Sequence, residues 1–201
     1  DVGALAATAR RDGSEYILDG VKTFISNAGL ADVYTLFART GSQDDGREGI
    51  SAFVVDARSP GLIVTERLTM SAPHPIGTIR LDGCRVPDSC RLGEEGEGFS
   101  LAMRVLDRLR PPVGAAAAGL ARRALDESLR HAAARRQFGR PLAEFQAIRM
   151  KLADMAVALE ASRLLVLRAA ALLDAPSSGT ASLAGMRRAS AMAKLFATEA
   201  A

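Results

Sequence analysis

The sequence predicts an α+β protein: an antiparallel β-sandwich or barrel over residues 1–95, followed by an up-and-down helical bundle over residues 96–201. Short β-type runs separated by turn signals fill the first half. The composition changes near residue 95, and a regular spacing of apolar residues follows Pro141. With 201 residues, 48% of them hydrophobic, the chain is long enough to bury a real core.

The β region begins with a hairpin signal, the Asp12-Gly13 dipeptide inside ATARRDGSEYILDG. Further runs that predict strands are VYTLFAR, GISAFVV, GLIVTERL and GTIRLDG. In the last run, Ile79 and Leu81 alternate with charged residues, which is the period of a strand with one face in water. The pattern therefore indicates a small antiparallel domain.

The helical region follows GEEGEGF, and a helix break is predicted at Pro111-Pro112, because proline suits the first turn of a helix and not its interior. After Pro141, residues recur at alternating spacings of three and four: Phe145, Ile148, Leu152, Met155, Leu159, Ser162, Val166, Ala169 and Leu173. Such a seam is typical of a helix in a bundle or coiled coil. Residues 175–182 predict a loop before a last helix.

The two halves of the chain carry opposite charge. Residues 1–100 contain 10 basic and 15 acidic side chains, a net of −5, and residues 101–201 contain 16 and 8, a net of +8. The arginines of the second half are spread around helices with few aromatic residues between them, so nucleic-acid binding is not expected. They also interrupt each Ala/Leu-rich segment, so no membrane span is expected. Small ligands that carry phosphate, or the acidic first half of the chain itself, are the expected counterparts of these arginines.

Cys84 and Cys90 have neither CxxC spacing nor a histidine cluster, so we expect free thiols in the cytoplasm and no metal site. His74 and His131 have no spacing to a metal ligand or a catalytic triad, which predicts structural roles for both. The first residues resemble no signal peptide and lack an initiator methionine, and the last helix runs into Ala201 without a C-cap, so the chain is expected to be cut at both ends.

A glycine pattern, GxxGxG, occurs in GEEGEGF. Its glutamates would repel phosphate, and no strand-turn-helix unit surrounds it, so a flexible connection is the favoured interpretation.

Two segments carry side chains suited to a planar, anionic ligand. VKTFISNAG ends a predicted strand with Phe24 and Ser26, whose ring and hydroxyl suit a heterocycle; a core phenylalanine and a simple turn are the alternative. ARRQFGRPLAEFQ carries Arg135, Gln137 and Gln146 at a helix junction. The guanidinium suits a pyrophosphate and the amides suit adenine or ribose, with helix capping as the alternative.

A third segment, LDRLRPPVG, places Asp107 and Arg110 three residues apart at the predicted helix junction. The pair is either a weak intrahelical ion pair or part of a ligand channel.

In this order, the segments resemble the acyl-CoA dehydrogenase family over the whole chain. The matching stretches are DGSEYILDGVKTFISNAG, FVVDARSPGL, CRVPDSCRLGEEGEGF, LDRLRPPVGAAAAGLARRALDES and RRQFGRPLAEFQAIRMKLADM. The resemblance implies a β-domain and a four-helix C-terminal domain, with the family's N-terminal helical domain absent from this chain. It also implies a homotetramer built as a dimer of dimers.

The same resemblance implies FAD as cofactor. Phe24, Ile25 and Ser26 match the strand end that lies against the isoalloxazine ring, where the family more often has Trp-Ile-Thr or Trp-Ile-Ser. Asp107 and Arg110 match positions that line the acyl-CoA site. The residues that match the segment reaching FAD bound mainly by a neighbouring subunit are Arg135, Gln137, Phe138 and Gln146.

The implied reaction is α,β-dehydrogenation of an acyl-CoA, in which a carboxylate removes the α-proton and hydride passes to flavin N5. Electron-transfer flavoprotein is the implied acceptor. The usual base is a glutamate expected beyond Ala201, and Leu109 occupies the alternative base position, so the fragment by itself is expected to be inactive. TMSAPHPIG departs from the family's usual Lys-Met-Gly-x-Arg-x-Ser segment.

Two alternatives keep the same scaffold. One is a non-catalytic assembly or binding protein, which Leu109 motivates. The other is a flavin oxygenase-like enzyme, or an enzyme that acts on a carrier-protein thioester.

Overall fold

A computed structural model describes residues 2–42, 44–71, 73–175 and 182–201. The chain divides into two compact units, and the division falls between Met103 and Arg104, inside the first long helix. The first unit is built on a β-sheet and the second is helical, which confirms the α+β class predicted from the sequence. Most of the predicted loop at 175–182 lies outside the described residues.

Seven strands form the sheet of the first unit: β1 (Thr8–Asp12), β2 (Glu15–Ser26), β3 (Val33–Arg39), β4 (Ile50–Asp56), β5 (Leu62–Leu68), β6 (Ile76–Pro87) and β7 (Arg91–Leu92). Their order is β5-β6-β2-β1-β3-β4-β7, so the described residues form an open sheet and no closed barrel. The predicted hairpin joins β1 to β2, with Asp12 opposite Glu15. The antiparallel prediction fails at one contact, because β1 and β3 are parallel where Thr8 meets Arg39.

Large side chains fill the core of the β unit. Those with almost no exposure include Tyr16, Leu18, Ile50, Phe53, Val55 and Ile79. The rings of Tyr16 and Phe53 pack with their centroids 5.0 Å apart. Ile79 and Leu81 are buried while their charged neighbours are exposed, as the alternation predicts. Burial of such a side chain stabilises the fold by roughly 1.5–3 kcal/mol.

The two longest strands, β2 and β6, change register between Leu18 and Gly20. Gly20 has a φ of +136°, and a Cβ there would lie 2.8 Å from the Cα of Ala7. A glycine is therefore required for this close approach. A second register shift follows between Lys22 and Ile25, where the candidate site begins.

The helical unit takes in most of α1 (Gly98–Ala134), together with α2 (Gln146–Asp174) and α3 (Leu183–Ala200). A short hairpin joins α1 to α2 through β8 (Arg136–Gln137) and β9 (Arg140–Pro141). The nine seam positions predicted along α2 are all buried or half-buried, which confirms the predicted seam.

The predicted helix break at Pro111-Pro112 is wrong, because α1 is continuous from Gly98 to Ala134 with both prolines inside it. Since proline has no N–H, Pro111 leaves the carbonyl of Asp107, four residues earlier, without its helical donor. The hydroxyl of Ser190 on α3 donates to this carbonyl instead. The Ser190 hydroxyl on α3 therefore satisfies the carbonyl oxygen of Asp107 that Pro111 leaves without a donor.

Small residues allow the three helices to approach closely. Ala169, Ala189 and Ala193 form the buried contact between α2 and α3. On α1, a Cβ at Gly114 would lie 3.0 Å from the carbonyl oxygen of Ala193 and 3.1 Å from a methyl group of Val166. The absence of a side chain at Gly114 therefore brings α1 against both other helices.

Candidate functional site

The end of β2 leaves regular strand geometry at the residues predicted to face a planar ring. Phe24 and Asn27 have φ values of 60° and 58°, in the left-handed region that bulky residues rarely adopt. Phe24 is nevertheless 73% exposed, which excludes the alternative of a core phenylalanine. Strain of this kind costs on the order of 1–3 kcal/mol per residue and is concentrated at ligand sites. The ring of Phe24 is therefore available to a ligand.

The strand end is tied to the segment before β6. The N–H of Asn27 donates to the carbonyl of Pro75 over 2.8 Å, and Ser26 stands opposite Ile76 in the register of the two strands. Ser26 Oγ lies 3.0 Å from His74 Nε2. The sequence predicted only a structural role for His74, because it has no spacing to a metal ligand or a triad, and its contact with Ser26 spans 48 residues of the chain.

Tyr34 fixes the turn that follows the strand end, and sequence patterns did not single it out. Its hydroxyl accepts a hydrogen bond from the N–H of Gly29 over 2.8 Å and donates to the carbonyl of Asn27 over 3.2 Å. Because the Tyr34 ring is buried in the core, the turn is anchored to the sheet.

Upstream, Lys22 is half-buried, and this burial lowers the pKa of its ammonium group below the usual lysine range.

The hairpin between α1 and α2 has an exposed tip. Gln137 pairs with Arg140, and the two tip residues, Phe138 and Gly139, have φ values of 51° and 80°. Two positive φ values define a type I′ turn, for which Asn-Gly is the usual pair. Phe138 is 91% exposed, and its ring meets that of Phe145 edge-on with centroids 6.3 Å apart. The turn therefore holds the Phe138 ring in solvent, although the positive φ of Phe138 is unfavourable for a bulky residue.

The arginines of this hairpin differ in what they contact. Arg136 donates from Nη2 to the carbonyl of Gly139 over 3.1 Å, and the guanidinium carbon of Arg140 lies 4.2 Å from the centroid of the Phe145 ring. Arg135 is exposed, and its guanidinium makes no hydrogen bond or ion pair with another residue of the described ranges. Arg135 is therefore the arginine of this hairpin that is available to an external anion.

The predicted cofactor residues fall into two groups, one in each unit. In the β unit, Phe24 and Ser26 are exposed while Ile25 packs partly against the core. In the helical unit, the four predicted residues are all exposed at the hairpin or at the first position of α2: Arg135, Gln137, Phe138 and Gln146.

Asp107 and Arg110 do form an ion pair, with Asp107 Oδ1 and Arg110 Nη1 2.8 Å apart. The sequence missed a second partner, since Arg187 on α3 donates from Nε to Asp107 Oδ2 over 3.0 Å. Asp107 is only 8% exposed, so the pair is more than a surface contact. With Ser190 on its carbonyl, Asp107 is held on both its side chain and its backbone. Leu109, by contrast, is exposed.

The described ranges also bear on metal binding, membrane insertion and thiol chemistry. There, no three His, Cys, Asp or Glu side chains are grouped so that they could hold a metal ion. The described helices include none with both the length and the apolar character needed to cross a bilayer. Cys84 and Cys90 are free thiols, and burial, helped by the charge of Asp19, raises the pKa of Cys84 above the usual thiol range.

Comparison with known families defines the class of protein. The model of the acyl-CoA dehydrogenase middle domain matches residues 1–84, and that of the acyl-CoA dehydrogenase C-terminal domain matches residues 96–201. The chain therefore belongs to the acyl-CoA dehydrogenase family, as the sequence motifs indicate.

Individual relatives agree with this assignment. The chain is 43% identical over 203 residues to cyclohexane-1-carbonyl-CoA dehydrogenase of Geobacter metallireducens, which covers 100% of this chain and 51% of that protein. Butyryl-CoA dehydrogenase from Megasphaera elsdenii superposes with a TM-score of 0.90 at 34% identity, covering 100% and 51%. PigA, solved with FAD and proline, superposes with a TM-score of 0.91 at 32% identity, with the same coverage. The chain thus spans about half the length of these relatives.

Proposed function

We propose that the polypeptide containing this chain is a FAD-dependent acyl-CoA dehydrogenase that introduces an α,β double bond into an acyl-CoA thioester. The observation that carries the proposal is the combination of strained, exposed rings with available polar groups: Phe24 with Ser26, and Phe138 with Arg135. Aromatic rings bind flat heterocycles and guanidinium groups bind diphosphates. The side chains present therefore fit the two ends of FAD.

In the β unit, Phe24 and Ile25 would pack against the ring system of FAD, and the Ser26 hydroxyl would hydrogen-bond to its polar edge. The strain at Phe24 supports this role, because a ring held outward gains its compensating contacts from a ligand. Asn27 and Tyr34 support the same function by fixing the backbone that carries Ser26.

In the helical unit, Arg135 would bind the diphosphate of a FAD held mainly by a neighbouring subunit. The remaining exposed residues of the junction would contact the adenosine side: Gln137, Phe138 and Gln146. This arrangement requires a homo-oligomer, which we propose is a dimer of dimers. The exposure of all four residues supports such a role, because most of their side-chain surface is free of contacts with the rest of the described chain.

Asp107 and Arg110 would line the acyl-CoA site. Asp107 already binds two guanidinium groups, and Leu109 cannot accept a proton, so we assign the catalytic base to neither. Asp107 instead fixes the direction of Arg110. When bound, FAD accepts the hydride that leaves the β-carbon while a carboxylate removes the α-proton.

We further propose that electron-transfer flavoprotein reoxidises the cofactor and that the protein works in the cytoplasm. Free Cys84 and Cys90 agree with a reducing compartment.

The test is to express the longest open reading frame that encodes this chain and to add acyl-CoAs of different length and branching without oxygen. We expect a yellow protein whose absorbance is bleached by at least one acyl-CoA, with one enoyl product per flavin. Arg135→Gln should weaken FAD binding by about 10- to 100-fold, because it removes a charged hydrogen-bond donor. Arg168→Gln, on the exposed side of α2, is the matched control. A protein that binds no FAD would contradict the proposal.

A second candidate is an oxygen-dependent or carrier-thioester enzyme on the same scaffold. The similarity to the prolyl acyl carrier protein oxidase AnaB, which superposes with a TM-score of 0.90 at 30% identity, favours this candidate, as does the unusual TMSAPHPIG segment. Product analysis with and without oxygen, using CoA and carrier-protein thioesters, separates it from the dehydrogenase. FAD binding without reduction by any thioester would instead support the non-catalytic alternative that Leu109 motivates.

A further inference from the structure

The contact between Ser26 and His74 depends on a backbone arrangement that holds both residues in place. Asn27 follows Ser26 and donates to the carbonyl of Pro75, which follows His74. The next residue, Ile76, stands opposite Ser26 in the sheet. Because each residue has a paired neighbour, the two backbones are held side by side, and Ser26 Oγ and His74 Nε2 lie 3.0 Å apart.

His74 also lines an open pocket of about 360 Å³ beside the strand end. The described residues around this pocket are Leu68, Thr69, Met70, Pro73, His74 and Pro75. Of these described side chains, only those of Thr69 and His74 are polar. A ligand at the strand end would therefore meet a mainly apolar wall in which the imidazole stands next to Ser26.

The pair has two hydrogen-bonding states with the same heavy-atom positions. A neutral imidazole nitrogen donates or accepts according to the tautomer, and a hydroxyl can do both. In the first state, His74 donates to Ser26 Oγ, and the hydroxyl hydrogen of Ser26 is directed outward. In the second state, Ser26 donates to His74 and turns an oxygen lone pair outward.

We propose that His74 is a positioning residue that allows Ser26 to act as a donor to the oxidised cofactor and as an acceptor from the reduced cofactor. The inference rests on the proposed function, since it requires Ser26 to face the FAD ring. A flavin ring nitrogen accepts a hydrogen bond when oxidised and carries an N–H after hydride uptake, so its partner must reverse. The reversal exchanges tautomers at His74, and it changes neither the charge nor the electron count of the protein.

Loss of His74 should affect the two redox states unequally. When Ser26 accepts from the reduced cofactor, its own hydroxyl hydrogen needs an acceptor, and His74 Nε2 supplies one. When Ser26 instead donates to the oxidised cofactor, its hydroxyl hydrogen already has an acceptor. Losing His74 then leaves only a lone pair of Ser26 without a partner, which is less unfavourable. A variant without a hydrogen-bonding group at position 74 should therefore bind reduced FAD about three- to tenfold more weakly relative to oxidised FAD. This ratio corresponds to a midpoint potential lower by about 14–30 mV for a two-electron couple.

The experiment measures the midpoint potential of bound FAD in the full-length protein by spectroelectrochemistry. His74→Phe keeps a ring and removes the hydrogen bond, and we expect it to lower the potential. His74→Gln, whose amide both donates and accepts, should restore much of it. The same change at the other histidine, His131→Phe, is the control and should leave the potential unchanged. Thermal unfolding of each variant checks that the fold is retained.

A double-mutant cycle tests whether His74 acts through Ser26. In a Ser26→Ala background, adding His74→Phe should produce no further shift in potential. The inference is overturned if His74→Phe leaves the potential unchanged, or if its effect is undiminished without the Ser26 hydroxyl. It is also overturned if His74→Gln, although folded, behaves like His74→Phe. If the unsubstituted protein binds no FAD, the proposed function itself fails, so the two failures are distinguishable.

Discussion

The two units of the molecule bury side chains of different size. In the β unit the fully buried residues include large side chains, among them Tyr16, Leu18 and Phe53. In the helical unit the most deeply buried residues are small: Ser162, Ala169, Ser190, Ala193 and Ala197. Several of its large apolar residues are instead exposed, as at Leu120, Val157, Leu164, Leu167 and Leu195. The sheet thus encloses its own core, whereas the helices keep apolar surface available for further packing.

A similar contrast separates core residues of the sheet from the residues that we propose bind a ligand. Phe53 is fully buried against Tyr16 in regular strand geometry, whereas Phe24 is exposed at a strained backbone position. Residue type alone does not distinguish these two phenylalanines. Burial and backbone conformation do: they place Phe53 in the core and Phe24 on the surface, which supports the proposed ligand-binding role of Phe24.

The largest expected effect on stability is therefore at Phe53. Phe53→Ala should lower the free energy of unfolding by about 3–5 kcal/mol, because it removes buried area and leaves a cavity in a closed core. Phe24→Ala should change it by less than about 0.5 kcal/mol. Urea unfolding of both variants measures the difference. A similar loss at the two positions would contradict the assignment of Phe24 to a ligand.

A smaller effect is expected where small residues pack the helices. Ala193→Leu should lower the free energy of unfolding by about 1–3 kcal/mol. The added atoms would crowd the region where Ala193, Gly114 and Val166 bring the three helices together. Ala191→Leu, on the exposed face of the same helix, is the control. Equal stability of the two variants would mean that the helices do not meet as closely as described.

Lys22, on strand β2, carries a half-buried charge. Burial lowers the pKa of Lys22, so between that lowered value and the ordinary 10.5 the unfolded chain binds more protons than the folded one. Stability should therefore rise with pH across this window and be lost again as the pH falls through the lowered pKa. Lys22→Met should abolish the rise and stabilise the protein at neutral pH. Unfolding of both proteins by urea at several pH values measures this, and an unchanged pH dependence would count against burial of the ammonium group.

The smallest effect on unfolding is expected on the exposed helical surface. Leu164→Gln should change the free energy of unfolding by no more than about 0.5 kcal/mol, because the side chain is largely in water. Self-association, measured by analytical ultracentrifugation, should weaken if this surface packs against another subunit. A large loss of monomer stability would show that Leu164 contributes to the core of its own chain.

Local patterns in the sequence were sufficient to predict much of the fold. β-type runs bounded by turn signals located β3, β4 and β5, the Asp12-Gly13 dipeptide located the first hairpin, and the apolar spacing located the buried seam of α2. These features depend on residues close together in the chain. The predicted helix break at Pro111-Pro112 was wrong because the outcome depends on a distant residue. Ser190, far along the chain, donates to the carbonyl that Pro111 leaves without a donor.

The candidate site was predictable in part. Motif resemblance selected Phe24, Ser26 and Arg135, but it gave no sign of the left-handed backbone at Phe24, which depends on the register shift between two long strands. It also missed Arg187, which contacts Asp107 from 80 residues away. Contacts of this kind become visible only once the strands and helices are assembled.

A structure of the full-length protein with FAD tests the central claim most directly. The account predicts that the flavin ring lies against Phe24 and Ser26 of one subunit, with Arg135 and Phe138 of its neighbour at the diphosphate and adenosine. A complete assembly in which this hairpin faces bulk solvent, away from any cofactor, would contradict it.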